Sequence, residues 1–165
     1  MPGPARTENE EPMIAQGPWW AALTVWAVVN AVNLLQSAGF LSRIATGSMS
    51  INHALGYIIM LLAIPATVAL LAYLRAGADW RLWLGPAVFD AFVLFMLVVD
   101  YVRPVEFRSP AVPSVLVPYL VLFFGSILLM GLPMFRMDLM LWAVTAVTSA
   151  LLLASMGFAM IRGVG

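Results

Sequence analysis

Five apolar runs, at about 19–42, 52–74, 82–102, 113–133 and 137–161, take up most of the 165 residues. A helix crosses the hydrocarbon of a bilayer, ~30 Å thick, in about 20 residues. Each run is therefore long enough to span. A membrane barrel would show ~10-residue segments of alternating polarity instead. The pattern predicts an all-α integral membrane protein: an antiparallel bundle of five transmembrane helices, built as a single domain over 19–165. Composition agrees, with 63% apolar and 10% charged residues, where soluble domains carry about 25% charged residues. The lipid bilayer is then the first expected partner.

Residues 1–18 hold four prolines and four charged side chains and read as a flexible polar tail. They lack the short apolar stretch after a basic segment that marks a cleavable signal, so the first span should be retained. The other connections, 43–51, 75–81, 103–112 and the turn Met134 to Arg136, are short, which makes consecutive helices antiparallel neighbours. Pro133 helps to end the fourth span. Eight arginines and no lysine balance eight acids. No polyanion partner follows from that balance, and nucleic-acid binding is not expected. The exclusive use of arginine suggests a GC-rich genome, hence a prokaryotic cytoplasmic (inner) membrane as the location. Arginines divide evenly between the two sides: Arg6, Arg75, Arg81 and Arg136 fall on the side of the N-terminus, and Arg43, Arg103, Arg108 and Arg162 on the other. The positive-inside rule is left without a preference. Trp19, Trp20, Trp80, Trp83 and Trp142 gather near the N-terminal side, as rings anchored at headgroup depth do.

Small residues mark where membrane helices approach one another. Ala146, Ala150 and Ala154 in the fifth span and Gly125 and Gly131 in the fourth are the expected packing positions. Thr145, Thr148, Ser149 and Ser155 carry hydroxyls that bond back to their own helix, the favoured reading, or across to another, and Pro65 is expected to kink the second span.

Polar residues gather in one half of the bundle. Asn30, Asn33 and Ser37 share one face of the first span, with Gln36 beside it, and that face should look inward. His53, Gly56, Tyr57 and Met60 form a stripe on the second span next to Asn52. Following the chain path, Asp100 and Tyr101 lie at a similar depth, with Arg43, Arg103, Glu106 and Arg108 at the rim. Such a cluster is either a polar join between helices or a cavity for a headgroup, a quinone or an ion. His53 is expected to face the bundle. Asp100 and Arg103, one turn apart, are able to pair, and Pro104, Pro110 and Pro113 stiffen the loop that follows.

Specific chemistry is mostly excluded. With one histidine and no cysteine, a zinc or other metal site within the chain is not expected. Gly56, one turn from His53, would leave room for a flat macrocycle, so haem b is an alternative reading, although a bis-His site within one chain is excluded. A serine with His53 and Asp100 lacks a nucleophile motif, and no phosphate-binding loop is present. No cofactor and no catalytic activity of its own are expected.

Asp90 lies near the middle of the third span, where an aspartate costs roughly 2.5–3.5 kcal/mol. Asn30, Asn33, a buried water or a proton on the carboxyl are the expected means of offsetting that cost. The chain is accordingly read as a binding or assembly subunit of a membrane complex, paired with a membrane protein or with its own copies. A haem- or quinone-site redox subunit using His53 and a small transporter using Asp90 are the alternatives.

Overall fold

The computed structural model describes residues 17–48, 50–104, 107 and 112–163, and among them every regular element is helical. The elements are α1 (Trp19–Thr46), α2 (Ser50–Arg75), α3 (Trp80–Met96), α4 (Pro113–Gly131), the single turn α5 (Met134–Met137) and α6 (Leu139–Ile161). A π-helical turn, Leu97–Val102, continues α3. Five helices, counting the π-turn with α3 and α5 with α4, are long and apolar enough to cross a membrane. The expected tail lies outside the described residues, except for residues 17 and 18.

Local chemistry sets the ends. Gly47 adopts a left-handed φ of 64° and donates its amide to the Arg43 carbonyl at 2.8 Å, which closes α1 four residues later than the apolar run suggests. Gly77 does the same for α2 at φ 62°, and the Ala78 amide reaches back to the Tyr73 carbonyl at 3.0 Å. Asp79 caps α3 by accepting from the Arg81 amide, and Asp138 caps α6 by accepting from the amides of Met140 and Leu141. Residues 134–136, expected as a plain turn, lie within α5. In the π-turn the Arg103 amide reaches the Val98 carbonyl five residues back, at 2.8 Å.

Helix α1 is the centre of the bundle. It packs against α2 and α6 and touches α4, while α3 lies against α2 and α4. Val25, Val28, Val29 and Val32 of α1 meet Ile59, Ala66 and Tyr73 of α2, Phe89, Phe92 and Met96 of α3, Ile127 and Met130 of α4, and Leu152 of α6 in one buried cluster. The α3–α4 contact is aromatic: Phe92 sits 5.2 Å from both Tyr119 and Phe123, centroid to centroid, and Phe107 sits 5.3 Å from Tyr119. It is also close. A Cβ at Gly85 would stand 2.7–2.9 Å from the backbone of Leu129 and Met130.

Large apolar side chains cover the outside as well. Ile64, Leu94, Val121 and Val147, one from each of α2, α3, α4 and α6, are 63–69% exposed. The alanine stripe expected to pack is part of that outer surface: Ala150 and Ala154 are exposed, and α6 instead buries Thr145, Thr148, Leu152, Ser155 and Ala159. Small size alone did not mark the packing face, because hydroxyl-bearing residues were available to make directed bonds there. At Gly125 the space beyond the backbone is open.

Gly85→Ala should therefore lower stability by about 1–3 kcal/mol through backbone overpacking, whereas Gly125→Ala should not lower it. Thermal unfolding of the two variants in detergent, followed by circular dichroism, checks the contrast.

Candidate functional site

The polar residues of the sequence fall into three separate places. The largest is a join between α1 and α6. Asn30 and Asn33, seven and zero per cent exposed, project from α1 onto the hydroxyl face of α6. The Asn30 side-chain amide donates to the Trp26 carbonyl at 2.7 Å and to Thr145 Oγ1 at 3.1 Å, and its Oδ1 accepts from Thr148 Oγ1 at 2.7 Å. Asn33 Nδ2 donates to Thr148 Oγ1 at 3.1 Å and Ser149 Oγ at 3.0 Å. One turn earlier, Trp26 Nε1 donates to the Leu141 carbonyl at 2.9 Å. Trp26–Leu141, Asn30–Thr145 and Asn33–Thr148 share a sequence separation of 115, so α1 and α6 lie side by side in the same sense.

This join confirms that the Asn30, Asn33 and Ser37 face looks inward. Both readings of the α6 hydroxyls hold: Thr145, Thr148 and Ser155 bond back within their own helix, and Thr145, Thr148 and Ser149 also bond across to α1. Ser37 returns its hydroxyl to the Asn33 carbonyl at 2.7 Å. Gln36 is half-buried beside it.

The second place is an aromatic corner where α2 begins and α3 ends. The His53 ring lies 4.6 Å from Tyr101 and 6.4 Å from Tyr57, and the two tyrosines are 4.8 Å apart. Tyr101 donates its hydroxyl to the His53 carbonyl at 2.9 Å. His53 itself is exposed, which corrects the expectation that it faces the bundle: the stripe it shares with Tyr57 runs along the outer side of α2. Gly56 is buried, and the space above it is taken by the Tyr101 hydroxyl, which a Cβ there would strike. Beside His53, then, the cleared face holds a tyrosine. Asn52 is likewise fitted to a glycine, its Oδ1 lying where a Cβ of Gly39 would be.

Asp100 is half-buried and Arg103 exposed. Arg43, expected at an open rim, is 6% exposed, with its guanidinium 5.5 Å from the Phe40 ring in the last turn of α1. Glu106 and Arg108, and with them Pro110, lie outside the described residues.

The third place is Asp90. It sits ten residues after Trp80 and twelve before Val102. It does not reach Asn30 or Asn33, whose bonds go to α6. Its partner is Thr67 of α2, whose Oγ1 lies 2.9 Å from Asp90 Oδ2 and 2.8 Å from the Ala63 carbonyl. Thr67 is exposed and Asp90 half-buried, with Oδ1 enclosed and unpartnered. Thr67 is the only polar side chain of α2 between Tyr57 and Tyr73, a signal the sequence reading passed over. Its pairing with Asp90 depends on how α2 and α3 lie against each other.

Among the described residues no group of three or more His, Cys, Asp and Glu side chains converges as metal ligands. Comparison with known protein families, curated proteins and solved structures finds no match to the chain.

The α1–α6 join generates a quantitative expectation. Hydrogen bonds between membrane helices contribute about 0.6 kcal/mol on average and up to about 1.7. A double-mutant cycle on Asn30→Ala and Thr148→Val, read from unfolding in mixed micelles, should give a coupling in that range. The same cycle on Asn30→Ala and Thr67→Val, which do not touch, should give none.

Proposed function

We propose that the chain is a multi-pass protein of a prokaryotic cytoplasmic membrane, with all five long helices inserted and consecutive helices antiparallel, and that it serves as a binding or assembly subunit of a larger membrane complex. Insertion is supported by the apolar side chains exposed on every helix. Monomeric soluble proteins rarely expose apolar patches beyond a few hundred Å², and here the exposed apolar residues ring the bundle. The antiparallel order is supported by pairs that step in opposite directions: Gly17 beside Tyr73 and Gly39 beside Asn52 between the first two spans, and Thr67 with Asp90 and His53 with Tyr101 between the next two.

The observation that carries the assembly role is the direction in which Asp90 is turned. The interior is closed by an aromatic contact between α3 and α4 and by a polar join whose donors are engaged between α1 and α6. The one acidic side chain near the middle of a described span is instead bonded to an exposed threonine on the outer side of α2 and α3. A carboxyl serving a path through the chain would face the interior. One serving assembly presents its bonded oxygen at the outer side, beside an exposed threonine, where a second protein reaches it.

Extraction of the native complex in mild detergent, followed by native mass measurement, tests this reading. We expect an assembly well above the 17.9 kDa of one chain, with its partner in fixed stoichiometry, and loss of that assembly in Asp90→Leu. A monomer that alone catalyses solute flux in vesicles, with flux abolished in Asp90→Asn, would replace the assembly role with transport.

A further inference from the structure

The geometry points to a specific occupant for the outer face of α2 and α3: a transmembrane helix of a partner protein carrying a basic side chain at mid-span, whose cation pairs with Asp90. This inference rests on the assembly role proposed above and gives that partner its chemistry.

Donor arithmetic is the starting point. A threonine hydroxyl has one hydrogen and a carboxylate has none. Thr67 Oγ1 stands within bonding distance of two acceptors, the Ala63 carbonyl and Asp90 Oδ2, and Asp90 Oδ1 has no partner. Two acceptors thus share one hydrogen, and the second carboxylate oxygen has no donor at all. At mid-span neither water nor a lipid headgroup is at hand to make up the deficit.

The chain does not make it up either. Among the described residues the arginines stand at helix ends: Arg43 in the last turn of α1, Arg75 closing α2, Arg81 opening α3, Arg103 beyond the π-turn, Arg136 in α5 and Arg162 after α6. The interior amides are bonded to α6. A second copy brings the same described arginines, none of which stands at this level.

The surface around Asp90 suits a helix. Thr67 lies between Ile64 and Leu71, three and four residues away on the same face of α2. Leu94 lies one turn beyond Asp90 on α3, and all three apolar neighbours are exposed. That is an apolar strip with one acidic point, complementary to an apolar helix with one basic point. When the cation binds Oδ2, the carboxylate's charge is paired and Thr67 is free to give its hydrogen to Ala63. A charge-assisted bond of this kind is also stronger than a neutral one.

The test uses the full chain, donor-labelled, in phosphatidylcholine vesicles, with two acceptor-labelled synthetic helices of alternating Leu and Ala, one uninterrupted and one with a single central Lys. Energy transfer should show the Lys helix associating about tenfold more tightly than its neutral counterpart, as a polar contact of 1–2 kcal/mol implies. Asp90→Asn should abolish the preference and Asp90→Glu retain it. Equal association of the two helices with the wild-type chain would overturn the proposal, and would mean that a proton on the carboxyl supplies the missing donor. Transfer between copies of the chain that outcompetes the Lys helix would also overturn it, in favour of a self-associating face. Vesicle flotation distinguishes the two levels of failure: a chain that is not inserted refutes the five-span reading along with this one, whereas an inserted chain without preference refutes only the basic partner.

Discussion

A side-chain amide away from water must find its hydrogen bonds within the protein, and Asn30 and Asn33 find theirs on α6. The rest of the arrangement depends on that match. Amides on α1 and hydroxyls on α6 both recur at three- and four-residue spacing, so with the helices side by side each amide meets a hydroxyl. Two helices at opposite ends of the sequence are thereby fixed against each other, with α1 as the centre. Van der Waals packing between helices has little preference for one neighbour over another when lipid is equally apolar. Directed bonds supply the preference.

With α6 on one side of α1 and α2 on the other, α3 and α4 complete the bundle through shape. Gly85 brings the backbones together, and Phe92, Tyr119 and Phe123 fill the space beside that approach. The π-turn at the end of α3 belongs to the same fit. Its extra residue carries Tyr101 to the space above Gly56, where the hydroxyl finds the His53 carbonyl. His53 is left as part of an outer aromatic corner, with its ring against two tyrosines.

The number and extent of the long helices were legible in the sequence because run length and apolarity are local properties. The inward face of α1 was legible too, since Asn30, Asn33 and Ser37 declare it by spacing. Which apolar residues face outward was not, because leucine and valine suit lipid and protein interior equally. Ala150 and Ala154 illustrate this: a four-residue alanine repeat fits a packing face, yet α6 turned its hydroxyls inward. The partner of Asp90 was hidden for a related reason. Asn30 and Asn33 were chemically suitable, but their amide donors are directed to α6 and the Trp26 carbonyl, and that is visible only once the helices are placed. Arg43 was placed at the rim because charge alone does not show which way a residue near a helix end faces. Asp79 and Asp138, each just ahead of an apolar run, carried a capping signal from which the start of α3 and of α6 follows.

The central claim is a bundle with its polar bonding engaged inside and an apolar exterior that meets lipid. Because the chain has no cysteine, single spin labels can be placed without altering the background. The most direct measurement compares Ile64→Cys and Leu94→Cys with Val29→Cys in lipid vesicles, using oxygen as the lipid-soluble relaxant and a nickel chelate as the aqueous one. The account predicts that labels at 64 and 94 are relaxed strongly by oxygen and not by nickel, while the label at 29 is shielded from both. Strong relaxation by nickel at 64 and 94, or shielding there equal to that at 29, would contradict it.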